Sequence, residues 1–321
     1  MKLRNIAILG TGGTIAGRSA SASDNIGYTA GQVGIDQLVA DIGATDSFGP
    51  IITEQICQLD SKDMSFAVWL ELAARVNHYL AQDDVQGIVI TNGTDTLEET
   101  AYFLHTVCQP AKPVVLTCAM RPATSQAPDG GQNMLDALAT ARHPGACGVV
   151  AVCAGTVHSA LDVQKVHPYR LDAFSSGDAG PVGYVEEGCL RLVRNWPCVH
   201  IRAGFDAIQS IAVWPRVEII MSYAGASAAI VQALVEQGVR GLVVAATGNG
   251  TVHRDLEAGL IKAQACGLRV VRATRCVDGP IIRLAGAVFT DSKGLSPVKA
   301  RVALMLDLML ADAGEPARSR A

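Results

Sequence analysis

Apolar and polar positions along the 321-residue chain fall into blocks that alternate between strand-like runs and helical spacing. Arg4 to Leu9 and Ile51 to Leu59 read as strands, and Gly87-Ile88-Val89-Ile90, apolar without interruption, reads as a central parallel strand. Pro113 to Cys118 and Gly148 to Ala154 repeat that signal. Helical spacing lies between these runs. Ser65 is placed to cap a helix whose Phe66, Trp69, Leu72, Ala73, Val76 and Leu80 form one apolar face. Leu97, Ala101, Leu104 and Cys108 begin another, with Glu98 and Glu99 in its first turn, and Leu135, Leu138 and Ala139 mark a third. Strands and helices in alternation predict an α/β fold: a parallel sheet with helices on both faces.

The texture changes after Ala154, where Thr156 to Asp178 is mostly polar and contains His158, Asp162, Lys165, His167 and Asp172. Glu186 to Ser210 has no clean period and holds Pro197 and two glycines, which marks it as a connection. Beyond it, Ile211 to Val217, Gly241 to Thr247 and Leu268 to Thr274 read as strands of a second, smaller α/β unit. Helices are expected at Ala226 to Gln237 and Asp255 to Cys266. A last one, Pro297 to Ala311, has proline in its first turn and Val302, Met305, Leu306 and Met309 on one side. The expected organisation is an N-terminal catalytic domain over 1–187, a linker over 188–210 and a C-terminal α/β domain over 211–321, with no internal repeat.

Composition narrows the function classes. With 49% hydrophobic and 17% charged residues the chain can bury a large core. A net charge of −4 and the lack of a basic run interleaved with aromatics argue against a nucleic-acid partner. The longest small-apolar stretch, Gly145 to Val157, is too short to span a bilayer. The N-terminus enters a strand at once, without a cleavable hydrophobic segment, so no membrane association and a cytoplasmic location are expected. Nine cysteines, scattered singly without a C-x-x-C pair, read as reduced thiols rather than a disulfide framework or a zinc site. His158 and His167 read as hydrogen-bonding loop residues, and neither a metal nor a cofactor is expected.

The candidate chemistry gathers at strand ends. After the first strand comes Gly10-Thr11-Gly12-Gly13-Thr14-Ile15-Ala16-Gly17, a turn that lets backbone approach a ligand closely. It is not a dinucleotide loop, because the third glycine of G-x-G-x-x-G falls on Ile15, and no G-K-[ST] follows. Arg18 to Gly34, with Tyr28 in its midst, is either a lid or a segment without fixed structure. After the Gly87 strand stands Thr94-Asp95-Thr96, for which two readings hold: chemistry at the carboxyl end of a strand, or a plain helix cap. Ser61 and Ala119 follow two further strands, so four segments converge on one sheet edge. A hydroxyl becomes a nucleophile when a base takes its proton, and Lys165 near Thr94, oriented by Asp95, fits that requirement. No G-x-S-x-G elbow is present.

Two of these motifs, Thr11-Gly12-Gly13-Thr14-Ile15-Ala16-Gly17 and Gly93-Thr94-Asp95-Thr96-Leu97-Glu98-Glu99-Thr100-Ala101, resemble those of the bacterial-type L-asparaginase/glutaminase family. Ala119-Met120-Arg121-Pro122 and the closing Pro297-Val298-Lys299-Ala300-Arg301 extend the resemblance over essentially the whole chain. The resemblance implies an amidohydrolase that passes the acyl group of a side-chain amide to threonine and then to water, releasing ammonia. It implies Thr14 as nucleophile with Tyr28 beside it, and Thr94, Asp95 and Lys165 as a second triad. Ser61 and Asp95 would hold the α-carboxylate and α-amino group, and the backbone at Ala119 would contact the side-chain amide. It also implies a homotetramer of intimate dimers, each site completed by a neighbour's loop around Asn249 and Thr251.

The chain departs from the family pattern at several positions. Lys62, a candidate substrate-binding residue, stands where secreted members have glutamine near the substrate's amino group, so its ammonium is expected to point to solvent, to pair with a carboxylate such as Asp63 or Asp95, or to contact the substrate's α-carboxylate, the first two being favoured. Asn92 replaces a histidine, and Gly279 to Val288 is short and lacks the acid some members use on the α-amino group. Cys108 matches a cysteine that is disulfide-bonded in some secreted members, but its partner position near Leu80 carries none. An amidotransferase-type glutaminase subunit and a non-catalytic amino-acid-binding module are the competing classes.

Overall fold

The computed structural model of the protein describes residues 3–43, 46–108, 110–197, 202–211 and 213–314. It divides into two compact units, Met1–Ile201 and Arg202–Ala321. In the first, β1 (Asn5–Gly12), β2 (Ile51–Leu59), β3 (Val85–Thr91), β4 (Pro113–Thr117) and β5 (Gly148–Cys153) are parallel and lie in the order β2-β1-β3-β4-β5. The chain moves from β1 outward to β2 through α1 (Ile35–Ile42). It then returns past β1 to β3 through α2 (Phe66–Leu80). The direction of winding therefore reverses between β1 and β3, and the crevice outside their carboxyl ends is the place where open α/β sheets bind ligands.

Side chains alternate across the strands, which assigns the two faces. Ile6, Ile8, Val89, Val115, Val150 and Val152 pack with Leu38 of α1 and with Met134, Ala137 and Leu138 of α4 (Gly130–Arg142). Ala7, Leu9, Ile88, Ile90, Leu116 and Ala151 are equally buried on the other face, where α2 and α3 (Leu97–Val107) lie on the sheet. Trp69 stacks on Phe103 with centroids 5.0 Å apart and gives its indole N–H to Thr100 Oγ1 at 3.0 Å, so α2 and α3 are locked together. Each such aliphatic burial stabilises the unit by roughly 1.5–3 kcal/mol relative to an exposed side chain.

Three antiparallel strands extend the sheet where the expected parallel series closes. β6 (Thr156–Ser159) pairs with β5 across the turn Ala154-Gly155. The chain then makes a small ribbon, β7 (Gln164–Lys165) with β8 (Phe174–Ser175), before β9 (Gly183–Glu186) and β10 (Cys189–Leu192) complete the edge. Residues 189–192, expected within the connection, are thus a paired strand of the first unit. The two-residue turn Glu187-Gly188 has positive φ at both positions (49° and 72°), the conformation that matches the twist of a tight hairpin. Residues 198–201 of the expected linker lie outside the described residues.

In the second unit, β11 (Val217–Met221), β12 (Gly241–Ala246), β13 (Arg269–Thr274) and the short β14 (Thr290–Asp291) form a parallel sheet in that order. The first of these strands begins where the expected one, Ile211 to Val217, ends. Pro215 has no N–H to give a ladder, and Ile220 is the residue that packs into the core with Leu242, Val244 and Val270. Helices α5 (Phe205–Ile208), α6 (Ala229–Glu236), α7 (Arg254–Ala265) and α8 (Pro297–Asp312) complete the unit. In α8, Leu304, Leu308 and Leu310 are buried along with Val302, Met305, Leu306 and Met309, so the helix is covered nearly all round rather than on one side. No described helix is long and apolar enough to cross a membrane.

Candidate active site

The site begins with three backbone segments in direct contact. β1 runs through the glycine stretch to Gly12, beyond the expected end at Leu9, with a register shift against β2 between Gly10 and Gly12. Gly12 has φ 98°, and a Cβ there would lie 2.6 Å from the backbone of Leu59. A Cβ on Gly13, at φ 80°, would lie 2.4 Å from the Cα of Gly93, and one on Gly93 would lie 2.4 Å from Ser61 Oγ. Only glycine permits these approaches. They bring Thr14, Thr94 and Ser61 around one junction at the switch point. Beneath it Thr11 donates to the carbonyl of Thr91 at 2.8 Å and to Asn92 Oδ1 at 3.1 Å, and Asn92 Nδ2 donates to Gly93 O at 2.9 Å. Asn92 is thus a buried brace of the junction.

Thr14 opens a one-turn 3-10 helix, Thr14–Ala16, and is almost fully buried. Its Oγ1 lies 2.6 Å from the hydroxyl of Tyr28. The tyrosine is held there by its loop. Arg18 and Thr29 exchange backbone hydrogen bonds at 2.9 and 2.8 Å, while Ser19 N donates to Thr124 Oγ1 and Ser125 Oγ to Asn25 Oδ1. The stretch expected as a lid or an unstructured segment is therefore a loop pinned over Thr14.

On the other side of the junction Lys165 Nζ donates to Thr94 Oγ1 at 2.8 Å and to Asp95 Oδ1 at 2.6 Å. The lysine comes from the β7–β8 ribbon, and its side chain is 19% exposed against 52% for Asp95. The capping alternative for Asp95 and Thr96 fails. The N-terminus of α3 has no side-chain cap; Asp95 pairs with Lys165, and the Thr96 hydroxyl donates to Ser61 O at 2.9 Å.

Ser61 is buried and its Oγ accepts from Asp95 N at 3.2 Å, which joins the end of β2 to the end of β3. Lys62 turns outward. Its Nζ lies 2.6 Å from Asp60 Oδ2 and 3.9 Å from Asp63 Oδ2, and its side chain is 64% exposed. Its hydrogen bond to the Asp60 carboxylate holds its pKa above the usual lysine value. Ala119 is buried in the β4–α4 loop, whose course is set by two residues that the hydrophobic pattern does not single out, Asp129 and Asn133. The signal available for them is a carboxylate and an amide four residues apart at a helix start, hence on one face.

Asn249 and Thr251 lie on the β12–α7 loop of the second unit, and both side chains are engaged locally. Asn249 Nδ2 donates to Ile282 O at 3.1 Å and its Oδ1 accepts from Ile282 N at 2.7 Å. Thr251 Oγ1 donates to Thr247 O at 3.1 Å. Every described cysteine is a free thiol. Burial pushes Cys108 up to about 12, and burial with the charge of Glu71 pushes Cys57 up to about 11. Cys118 and Cys153, at the ends of β4 and β5, have sulfurs 3.1 Å apart, and that contact together with burial holds the Cys118 thiol well above its usual value.

The asparaginase N-terminal family model matches residues 5–197, and the glutaminase/asparaginase C-terminal domain matches residues 216–318. L-asparaginase 2 of Escherichia coli is 38% identical over 315 residues, 96% of this chain and 90% of that protein. The glutaminase-asparaginase of Pseudomonas fluorescens is 36% identical over 316 residues, covering 96% and 87%. Among solved structures, a probable cytoplasmic L-asparaginase from Campylobacter jejuni superposes with a TM-score of 0.88 at 37% identity, covering 95% of each chain. The two threonine motifs that meet at the switch point thus lie in a sequence and a fold shared with these proteins over most of their length, and the chain belongs to the asparaginase family.

Proposed function

We propose that the protein hydrolyses the side-chain amide of L-asparagine, and of L-glutamine, to the acid and ammonia through a threonine acyl-enzyme. The observation that carries this reading is the pair of hydroxyls across the glycine junction: Thr14 bonded to Tyr28, and Thr94 bonded to Lys165 and Asp95. Thr14 Oγ1 attacks the amide carbon, and its proton leaves along the 2.6 Å contact with Tyr28. The N–H of Thr94, which bonds no other described group, is the donor assigned to the developing oxyanion. The proton relayed through Tyr28 passes to the amide nitrogen, so that collapse breaks the C–N bond, expels ammonia and leaves an ester on Thr14. Water, its proton handled by the Thr94–Lys165–Asp95 triad, then cleaves that ester and returns the hydroxyl. Asp95 and the Ser61 segment receive the α-amino and α-carboxylate groups. Lys62, occupied by Asp60 and Asp63, has no part in binding on this reading.

The active form is a homo-oligomer, a tetramer of two intimate dimers, in the cytoplasm. Apolar side chains left open on the second unit support the assembly: Ile282 is 74% exposed and Leu284 67%. Light scattering that finds an active monomer at assay concentration refutes it. The activity itself is tested by coupled ammonia assay on L-asparagine, L-glutamine and D-asparagine without RNA. Turnover of the L-amides supports the hydrolase. Turnover only with an RNA-linked amide points to an amidotransferase subunit, and binding without release of ammonia to a non-catalytic module.

A further inference from the structure

We infer that Asp129 and Asn133 are positioning residues that shape the β4–α4 loop so that the Ala119 peptide is kept unpaired for the substrate's side-chain amide. This rests on the amidohydrolase reading above and deepens it. On either side of Ala119, side chains of α4 hold the Cys118 C=O and the N–H groups of Met120 and Arg121. Asp129 Oδ2 accepts from Met120 N at 2.9 Å and Oδ1 from Arg121 N at 2.9 Å. Asn133 Nδ2 donates to Cys118 O at 2.9 Å and to Asp129 Oδ2 at 3.2 Å. Asn133 Oδ1 accepts from Ala154 N at 2.9 Å, beyond the end of β5. Ala154 has φ 49°, a left-handed conformation unusual for a residue with a side chain, and this bond holds it in the turn. The Ala119 N–H and C=O have no hydrogen-bond partner among the described residues, although Ala119 is only 1% exposed.

Buried backbone groups are nearly always paired, so an unpaired peptide between two clamped neighbours at the sheet edge marks a place reserved for a ligand group. The clamp also departs from ordinary helix capping. Asp129 is the residue before α4, yet its side chain caps none of that helix's N–H groups. Both oxygens are turned to the loop instead. The two residues stand four apart, on one face at the helix start, and Asn133 is 3% exposed, so the clamp is built on a rigid element.

Asp129→Asn replaces one acceptor oxygen with an NH2 group, so the N–H of Met120 or Arg121 loses its partner and the peptide between is released. With the α-amino and α-carboxylate contacts on other loops, kcat for L-asparagine is expected to fall about 10- to 100-fold while KM stays within about threefold, the split expected of misplaced reacting groups. Thermal unfolding measured alongside fixes the folded fraction at assay temperature. A kcat within about threefold of wild type, or a loss no larger than the loss of folded protein, overturns the proposal.

Asn133→Asp is the second variant if the first does not fold. It keeps the acceptor for Ala154 N but loses donation to Cys118 O and sets a second carboxylate against Asp129, until protonation restores a donor. Its kcat relative to wild type is expected to rise as pH falls, and a flat ratio overturns the proposal. If the wild type releases no ammonia from either amide, the amidohydrolase reading fails first. Wild-type turnover with unchanged variants removes only the positioning role.

Discussion

Replacing Gly93 by alanine tests whether the junction of three strand ends sets the catalytic geometry. The new Cβ would stand 2.4 Å from Ser61 Oγ, 2.6 Å from Ser61 Cβ and 3.1 Å from Gly13 Cα. Rotating the serine about χ1 relieves the first contact but not the second, since Ser61 Cβ moves only with the backbone. Carbon atoms rest at about 3.5–4.0 Å, so the segments must part by about 1 Å. Parting them breaks the bond from Asp95 N to Ser61 Oγ, and shifts Thr94 and Asp95 relative to Thr14. A misplacement of about 1 Å costs on the order of 10²-fold in rate, and overpacking costs about 1–3 kcal/mol of stability. Gly93→Ala is therefore expected to lower kcat/KM for L-asparagine about 100-fold in a coupled ammonia assay, with a Tm several degrees below wild type. Gly131→Ala is the control: on α4, with no heavy atom within 4 Å of the added Cβ, it is expected to stabilise by about 0.5–1 kcal/mol. A Gly93→Ala enzyme with kcat/KM within threefold of wild type and an unchanged Tm would refute the reasoning.

Lys62→Gln should change kcat/KM by less than about tenfold, the change appearing in KM, because the ammonium is taken by Asp60 and Asp63. The bond it donates to Asp60 raises the lysine pKa, so the charge persists through neutrality and the effect should be flat between about pH 6 and 9; a hundredfold loss places Lys62 on the substrate instead. Lys165→Met should lower kcat by about 10³-fold or more, and an effect confined to KM would make Lys165 a binding residue. Asp136, 3% exposed on α4, has its carboxyl pKa raised by burial, partly offset by a hydrogen bond from Gln132. A raised acid favours folding while protonated, below the unfolded value of about 4, and that contribution is lost as pH rises through the folded value. Asp136→Asn is therefore expected to raise Tm at neutral pH by calorimetry, with the gain vanishing in acid; a lower Tm at neutral pH contradicts this.

What the sequence made legible follows from physics that is local. The stretch Ile51 to Leu59, which opens on two isoleucines and a threonine and stops before Asp60, reads as a strand, and β2 has those bounds. The helix after Ser65 is fixed by its cap, since the Ser65 hydroxyl accepts from Val68 N, and by its apolar spacing. What escaped depends on residues distant in the chain. β1 continues into the glycine run because Gly12 meets Leu59, a contact no spacing within the first strand reveals. Ala154-Gly155 and Glu187-Gly188 are tight hairpin turns without an Asn-Gly signature, so three antiparallel strands were not separated from loop. Lys165 lies seventy residues from Asp95 on a two-residue strand, so its chemistry offered it as a base and the family resemblance assigned it to the triad, while the contact itself shows only in the fold. Asp129 and Asn133 carry no periodicity at all, and their role shows only in which loop atoms they hold.

The central claim is that Thr14 carries the acyl group. Its most direct test is mass spectrometry of enzyme quenched in acid during steady-state turnover of L-asparagine, with Thr14→Ala treated in parallel. The expected result is a β-aspartyl adduct on the peptide containing Thr14 in the wild type, with no adduct and at least about a 10³-fold loss of ammonia release in the variant. Ammonia release by Thr14→Ala within tenfold of wild type, or an adduct mapped to another residue, would contradict the account.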